Sequence, residues 1–193
     1  MLNQKVGIFG GTFDPIHIGH LITTQFVLEH RRLDKIILVP CNISPLKIDQ
    51  FSSPPVHRMN MLELAIKNIS NFSIFDYELK KGEISYTYDT LCEMKKYYES
   101  VELIIGYDNL AVFDRWHKPD EIFKLVDVIV MKRHKDKQYK KTHRYFNKAI
   151  IIDTPSIDIS SSEIRNRVKQ NLPIDFLVPD NVKEYISSNK LYQ

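Results

Sequence analysis

Two histidines near the N-terminus are the residues whose type and spacing best fit catalysis. They lie in GGTFDPIHIGH, which runs from Gly10 to His20 and follows an apolar stretch that predicts a strand. His17 and His20 are three residues apart, so a helix that begins here brings both imidazoles to one face, and Gly19 removes bulk beside that face. Adjacent glycines let an anion approach the backbone N–H groups. The segment therefore predicts a phosphate-binding turn, with buried core histidines as the alternative interpretation.

The same turn predicts the start of a helix. Asp14 is expected to cap this helix and Pro15 to lie in its first turn. A helix N-terminus carries partial positive charge, which favours a bound anion. The spacing matches neither the GxGxxG dinucleotide fingerprint nor a Walker A loop. A metal site with Asp14 as a third ligand is a further alternative, which would give stoichiometric zinc in the purified protein.

A second anion site is predicted near the C-terminus. Three consecutive hydroxyl residues, Ser160 to Ser162, precede a helical stretch, and Ser160 with Glu163 fits a capping box. Arg165 follows within one turn. Hydroxyls, a helix N-terminus and a guanidinium together suit a pyrophosphate group. Capping and phosphate binding are compatible on the same turn.

The rest of the chain alternates apolar runs with amphipathic stretches. This alternation predicts a doubly wound, Rossmann-like parallel sheet in a single domain covering residues 1–193. The predicted strands are Lys5–Gly10, Lys35–Pro40, Phe72–Asp76, Val101–Gly106, Val126–Met131 and Ala149–Ile152. The predicted helices between them include Leu21–His30, Val56–Ile69 and Thr87–Tyr98.

Composition narrows the class of protein. The 193 residues are 43% hydrophobic with a net charge of +3, and they contain neither a secretory signal nor a membrane-length apolar run. Cys41 and Cys92 are expected to be buried, reduced thiols, as in a cytoplasmic protein. The segment Lys132–Lys148 holds eight Lys or Arg residues against one Asp. We interpret it as a solvated loop, with a polyanion clamp as the alternative. A nucleic-acid partner is not expected, because such proteins carry a broader basic face.

Several motifs carry a resemblance to a known family. GGTFDPIHIGH resembles the HxGH signature of the nucleotidyltransferase superfamily in the form typical of bacterial nicotinate-mononucleotide adenylyltransferases. The second site resembles that family's ISSTxIR motif, with Ser162 where Thr is usual. SYTYDT at 85–90, the GYD that begins at Gly106, and the Phe113 to Trp116 pattern also resemble family motifs. The resemblance covers nearly the whole chain and is weakest in the basic segment.

The resemblance implies an enzyme of NAD biosynthesis that joins ATP to nicotinate mononucleotide, giving deamido-NAD and pyrophosphate by direct in-line transfer. The catalytic residues it implies are His17, His20 and Arg165. The implied ATP contacts are Gly10, Gly11, Thr12, Phe13, His17, His20, Gly106, Asp108, Arg133, Ile159, Ser160, Ser161, Ser162 and Arg165. The implied mononucleotide contacts are Lys47, Thr87, Asp108, Trp116 and His117.

The same resemblance implies Mg²⁺ brought with ATP, no metal site of the protein's own, and no membrane partner; a homo-oligomer is compatible with it. His57-Arg58-Met59 and the C-terminal stretch Leu177 to Tyr192 are expected to be mainly structural. Two rival functions are adenylyl transfer to another phosphate, such as that of phosphopantetheine, and nucleotide binding without catalysis. Phosphopantetheine enzymes typically have Thr at the His17 position, and binding alone would not need both histidines and Arg165.

Overall fold

Parallel strands form one sheet at the centre of the molecule. The computed structural model describes residues 2–45, 52–133 and 144–193. The strands within these ranges are β1 Leu2–Gly11, β2 Lys35–Pro40, β3 Phe72–Ile74, β4 Tyr98–Gly106, β5 Asp127–Arg133 and β6 Ile150–Thr154. Their order is β3-β2-β1-β4-β5-β6, and every neighbouring pair is parallel. The predicted doubly wound sheet is confirmed.

Helices cover both faces of this sheet. They are α1 Ile18–His30, α2 Pro55–Ile66, α3 Tyr77–Lys81, α4 Thr87–Met94, α5 Tyr107–Ala111, α6 Pro119–Leu125, α7 Ser161–Lys169 and α8 Asp180–Ser188. Short 3₁₀ turns cover Phe113–Arg115 and Arg144–Asn147. No helix in the described ranges is both long and apolar enough to cross a membrane.

Each central strand is apolar on both sides because it separates two apolar layers. In β2, Ile36 and Leu38 belong to the layer under α1, α2, α7 and α8. Ile37 and Val39 belong to the opposite layer, under α4, α5 and α6. All four side chains are at most 2% exposed. Burying such a side chain contributes about 1.5–3 kcal/mol, which explains why the continuous apolar runs predicted the strands correctly.

The element boundaries differ from the predicted ones at polar ends. β1 and β4 begin three residues earlier than predicted, at Leu2 and Tyr98, where they pair with each other. Because β4 begins at Tyr98, α4 ends at Met94 rather than continuing to Tyr98. β3 stops at Ile74, two residues before its predicted end. Apart from Leu2, these ends carry polar or half-exposed residues, for which apolar patterning gives little signal.

The order of the strands creates a crevice at one edge of the sheet. β1 lies between β2 and β4, so the chain leaves β1 toward one side and later returns on the other. The carboxyl ends of these strands, at Gly11, Pro40 and Gly106, meet at the same edge. In open α/β sheets ligands bind at such a switch in strand order.

Candidate active site

The first turn of α1 is built by the two histidines. His17 is the N-cap residue, with φ −142° and ψ 167°, and its ring Nδ1 accepts the backbone N–H of His20 at 3.3 Å. In return, His20 Nδ1 accepts the backbone N–H of His17 at 3.4 Å. The predicted cap at Asp14 and the predicted helical position of Pro15 are wrong, because the chain is not yet helical there. The imidazoles themselves form the capping box.

The paired rings are neutral in this arrangement. Their centroids are 3.6 Å apart and nearly parallel. Burial lowers the pKa of His17 to about 4, and burial together with the neighbouring His17 lowers the pKa of His20 well below its ordinary value. Since each Nδ1 accepts a hydrogen bond, the single ring proton lies on Nε2. Both histidines can therefore act as neutral N–H donors.

Gly19 keeps space for this ring pair, as the sequence predicts. A Cβ at Gly19 would lie 3.0 Å from Nδ1 of His17 and 3.5 Å from a methyl carbon of Ile157. The first of these distances is shorter than an ordinary van der Waals contact. A side chain here would press on the atom that caps α1.

The serine-rich motif forms the start of α7 and contacts the turn between β1 and α1. Ser160 is the N-cap, and its hydroxyl accepts the backbone N–H of Glu163 at 3.1 Å, which confirms the predicted cap. The Ser161 hydroxyl donates to the carbonyl oxygen of Pro15 at 2.8 Å. Two motifs that lie 146 residues apart in the sequence are therefore in direct contact.

Arg165 makes the second connection between these motifs. Its Nη1 donates to the carbonyl oxygen of Asp14 at 2.8 Å, and its Nη2 donates to the Ser162 hydroxyl at 3.2 Å. The half-exposed guanidinium lines the crevice. Two bonds to the protein fix its plane and leave other N–H groups for a ligand.

A pocket of about 660 Å³ occupies the crevice at the carboxyl ends of the strands. Asp108 and Arg133 face each other across its wall, with 3.8 Å between carboxylate oxygen and guanidinium nitrogen. Every residue that the sequence assigned to ATP lines this pocket: Gly10, Gly11, Thr12, Phe13, His17, His20, Gly106, Asp108, Arg133, Ile159, Ser160, Ser161, Ser162 and Arg165.

A second pocket of about 210 Å³ adjoins the first. Thr87, Trp116 and His117, which the sequence assigned to the mononucleotide, line it. Asp108, assigned to both substrates, lines the larger pocket, and Lys47 lies outside the described residues. The residues common to both pockets are Gly10, Gly11, Thr12, Cys41, Ser44 and Asn109. A ligand can therefore extend from one pocket into the other.

The smaller pocket combines aromatic and hydrogen-bonding groups. Trp116 stacks on Phe113 with ring centroids 4.7 Å apart, and its buried indole N–H has no hydrogen-bond partner among the described residues. Exposed His117 lies beside the ring of Tyr86, at 4.6 Å. Thr87 is the first residue of α4, after the N-cap Tyr86, and no side-chain hydrogen bond caps this helix.

Known proteins resemble this chain over nearly its whole length. A family profile described as Cytidylyltransferase-like matches residues 8–167. The nicotinate-nucleotide adenylyltransferase of Bacillus subtilis is 37% identical over 195 residues, covering 98% of this chain and 99% of the relative. A probable nicotinate-nucleotide adenylyltransferase of Caldicellulosiruptor saccharolyticus is 40% identical over 196 residues, covering 98% of this chain and all of the relative.

The chain belongs to the nicotinate-nucleotide adenylyltransferase family. Its fold matches that of the Plasmodium falciparum nicotinic acid mononucleotide adenylyltransferase complexed with NaAD, with a TM-score of 0.78, 24% identity and 98% of both chains covered. The family and the fold class predicted from the sequence are confirmed.

Glu78 is a residue of the candidate site to which no sequence pattern pointed. It lines the smaller pocket, is 8% exposed, and accepts the Thr90 hydroxyl at 2.5 Å. Burial is the main cause that raises the pKa of its carboxyl, although hydrogen bonds from Thr90 and Ser85 act in the opposite direction. In the sequence, Glu78 is a single acidic residue among Lys and Tyr residues and belongs to no motif. Only its burial in the folded protein distinguishes it from a surface glutamate.

Arg58 holds the turn between β1 and α1 in place through buried hydrogen bonds. The side chain is fully buried, and Nη1 donates at 2.8 Å to the carbonyl oxygens of both Thr12 and Cys41. Nε donates to the carbonyl oxygen of Ser53 at 3.0 Å. This agrees with the structural role predicted for the segment. Cys41 and Cys92 form no disulfide, as predicted, but both are half-buried.

The histidines lack the partners of a metal site. In the described ranges, no group of three or more His, Cys, Asp or Glu side chains is placed to hold an ion. Asp14, the predicted third ligand, instead accepts hydrogen bonds on both carboxylate oxygens, from the Ser53 backbone and from the Tyr192 hydroxyl. The zinc interpretation is therefore not supported by the described residues.

The basic segment is only partly described, since residues 134–143 lie outside the described ranges. At its start, Arg133 lines the larger pocket. At its end, Arg144 pairs with Asp120, and Lys148 Nζ lies 3.9 Å from the same carboxyl group. The described end of the segment thus contacts α6 rather than the pocket.

Proposed function

We propose that the protein transfers the adenylyl group of ATP to nicotinate mononucleotide, giving deamido-NAD and pyrophosphate. The observation that carries this proposal is the contact between the two phosphate-binding motifs. Ser161 and Arg165 at the start of α7 bind the carbonyl oxygens of Pro15 and Asp14 in the first turn. One pocket thus receives donors from two helix N-termini, and a smaller pocket with an aromatic wall adjoins it.

The larger pocket holds the triphosphate in this proposal. The N-terminus of α7 and Arg165 bind the β- and γ-phosphates, which leave as pyrophosphate. A phosphate oxygen of the mononucleotide forms a bond to the α-phosphorus as the bond from that phosphorus to the β-phosphate oxygen breaks. His17 and His20 donate their Nε2–H groups to the charge on the transferring phosphate. No protein nucleophile is needed, since positioning and charge stabilisation suffice.

The smaller pocket holds the pyridine ring in this proposal. Trp116 offers the ring a stacking surface, and Thr87 supplies a hydroxyl near the ring's carboxylate. A carboxylate accepts hydrogen bonds only, so a pocket of donors suits it. Lys47 is proposed as a further contact with the mononucleotide, from the resemblance alone.

Magnesium is proposed to enter with ATP. Mg²⁺ in such sites is held largely by phosphate oxygens and water, with one or two carboxylates from the protein. Asp108 is the carboxylate on the wall of the larger pocket that fits this role, and the ion would supply charge neutralisation of the triphosphate. We place the reaction in the cytoplasm, in keeping with two cysteines that form no disulfide.

The proposed reaction is tested by comparing three acceptors. Pyrophosphate release from ATP is measured with nicotinate mononucleotide, nicotinamide mononucleotide and phosphopantetheine under identical conditions. We expect turnover with the pyridine mononucleotides and none with phosphopantetheine. Turnover with phosphopantetheine alone would establish the rival transferase. ATP binding without turnover of any acceptor would establish the nucleotide-binding rival.

We predict at least a tenfold preference for the acid over the amide in kcat/KM. The amide brings N–H donors against the Thr87 hydroxyl, and one unpaired contact costs about 1–3 kcal/mol; a tenfold preference corresponds to about 1.4 kcal/mol, within that range. Thr87→Val removes the hydroxyl at constant shape and should shrink the preference, whereas Thr87→Ser should keep it. An unchanged acid-to-amide ratio in Thr87→Val would remove Thr87 from the recognition of the carboxylate.

A further inference from the structure

The last residues of the chain contact the phosphate-binding turn. Tyr192, the penultimate residue, donates its hydroxyl to Asp14 Oδ1 at 2.6 Å. Asp14 is only 3% exposed, and its Oδ2 accepts the backbone N–H of Ser53 at 2.9 Å. The buried carboxylate of Asp14, in the turn between β1 and α1, is therefore held in place by two segments that are remote in sequence.

The backbone at Asp14 also forms hydrogen bonds with residues that line the larger pocket. Its carbonyl oxygen accepts Nη1 of Arg165, and the next carbonyl, that of Pro15, accepts the Ser161 hydroxyl. The backbone that Tyr192 anchors through the Asp14 side chain is thus the same backbone that orients the guanidinium. Asp14 also lies three residues before His17, the cap of α1.

The Tyr192 hydroxyl is well suited to remain the donor in this contact. Burial foremost, and then the negative charge of Asp14, raise the pKa of the Tyr192 hydroxyl, so it stays a protonated donor. The backbone of Tyr192 is left-handed, with φ 64°. This conformation is unfavourable for a bulky residue, and the contacts of the phenol ring offset its cost.

We infer that Tyr192 is a positioning residue for adenylyl transfer: its hydroxyl fixes Asp14, and Asp14 fixes Arg165 and the first turn. The inference rests on the proposed function, since it assigns the effect to the orientation of ATP. Tyr192 touches no substrate in this role. Without its hydroxyl, Asp14 Oδ1 becomes a buried acceptor that has lost its partner, and the turn can shift to regain one.

A matched control lies in α8. The Tyr185 hydroxyl accepts Asn60 Nδ2 at 2.8 Å and lies 2.9 Å from His57 Nδ1. Tyr185 thus joins α8 to α2 through the same chemical group, and these two hydrogen bonds lead to α2 rather than to Asp14. Tyr185→Phe should therefore report the cost of losing a C-terminal tether alone.

The experiment compares Tyr192→Phe and Tyr185→Phe with the wild-type full chain. The measurements are Tm, kcat, KM for nicotinate mononucleotide, and the Kd of α,β-methylene ATP. In Tyr192→Phe we expect kcat to fall by about tenfold to a hundredfold, as for small misplacements of reacting groups, and the ATP analogue to bind about three- to tenfold more weakly. The KM for the mononucleotide should change less than twofold. In Tyr185→Phe we expect wild-type kcat and analogue affinity, even where Tm falls.

Two outcomes overturn the inference. The first is that Tyr192→Phe keeps the wild-type kcat and analogue affinity. The second is that Tyr185→Phe, at the same loss of Tm as Tyr192→Phe, loses as much kcat and analogue affinity as that variant. The second outcome would make the contact merely structural. A wild-type protein that binds the analogue but transfers no adenylate contradicts the proposed function instead. In that case the ratio of analogue affinities between wild type and Tyr192→Phe still tests whether Tyr192 orients the turn.

Discussion

The two histidines cap a helix and keep ring N–H groups that can donate to a ligand. Each Nδ1 is occupied by a backbone N–H, so neither ring can take up a second proton without breaking the cap. Two charged rings 3.6 Å apart would also repel each other. The same contacts that stabilise the first turn therefore fix the tautomer and keep an N–H group on Nε2. In the proposed reaction, each histidine therefore acts through a neutral dipole rather than as a cation.

We predict that His20→Ala lowers kcat by about 10²–10³-fold while the protein stays folded, because one donor to the transferring phosphate is lost. Turnover is measured by pyrophosphate release, and folding by circular dichroism. His30→Ala is the matched control, since His30 is an exposed histidine at the end of the same helix and should leave kcat unchanged. Near wild-type turnover in folded His20→Ala would remove this residue from the catalytic step.

We predict that Glu78→Gln raises the KM for the mononucleotide roughly three- to tenfold and leaves the KM for ATP unchanged. The buried carboxyl accepts hydrogen bonds from Thr90 and Ser85 on the wall of the smaller pocket, and an amide mispairs one of them, at a cost of about 1 kcal/mol or more. Glu83→Gln, in the exposed segment just after α3, should affect neither KM. A change in the KM for ATP alone would contradict this assignment.

At the scale of the elements, strands were predictable and helix starts were only partly so. The central strands are buried on both faces, so their apolar runs stand out from the rest of the sequence. The cap of α7 was also predictable, because Ser160 belongs to a residue type that caps helices by itself. The cap of α1 was not, because histidine is not among the residue types that commonly cap helices.

We predict that Arg165→Lys, at the start of α7, weakens ATP and pyrophosphate binding by tenfold or more and leaves the mononucleotide unaffected. The guanidinium bonds Asp14 and Ser162 at once and keeps further N–H groups for phosphate, whereas an ammonium is a single point charge. Binding is measured with α,β-methylene ATP and with pyrophosphate. Arg167→Lys is the control, since Arg167 bonds the carbonyl oxygen of Pro173 instead. Equal weakening of both substrates would separate Arg165 from the pyrophosphate site.

At the scale of the whole molecule, the site depends on contacts between distant parts of the chain. The motifs were visible in the sequence because each is a continuous run with its own chemistry. The contact between Ser161 and Pro15 spans 146 residues, and that between Tyr192 and Asp14 spans 178. A C-terminal tyrosine beside apolar residues predicts packing only. Its role as a donor follows from the folded path of the chain, which no local pattern encodes.

Stability should also depend on the buried histidines, in a defined pH window. The folded-state pKa of His17 is about 4, compared with 6.5 for an unperturbed histidine. Between these values the unfolded chain binds a proton that the folded protein does not, so the free energy of unfolding falls as the pH drops from about 6.5 toward 4. His20, whose pKa is also lowered, acts in the same direction. Glu78, whose pKa burial raises, acts in the opposite direction.

We therefore predict that lowering the pH from 7 to 5 costs roughly 2 kcal/mol through His17 alone, or about 4–8 °C in Tm for a chain of this length. Thermal unfolding at both pH values measures this loss. His17→Asn keeps an oxygen that can cap α1 but removes the titrating ring, so its loss of Tm should be clearly smaller. His30→Asn, which removes an exposed ring from the same helix, should show the full wild-type loss. If His17→Asn and His30→Asn lose the same Tm between pH 7 and 5, the pH dependence arises elsewhere and His17 is not buried as a neutral ring.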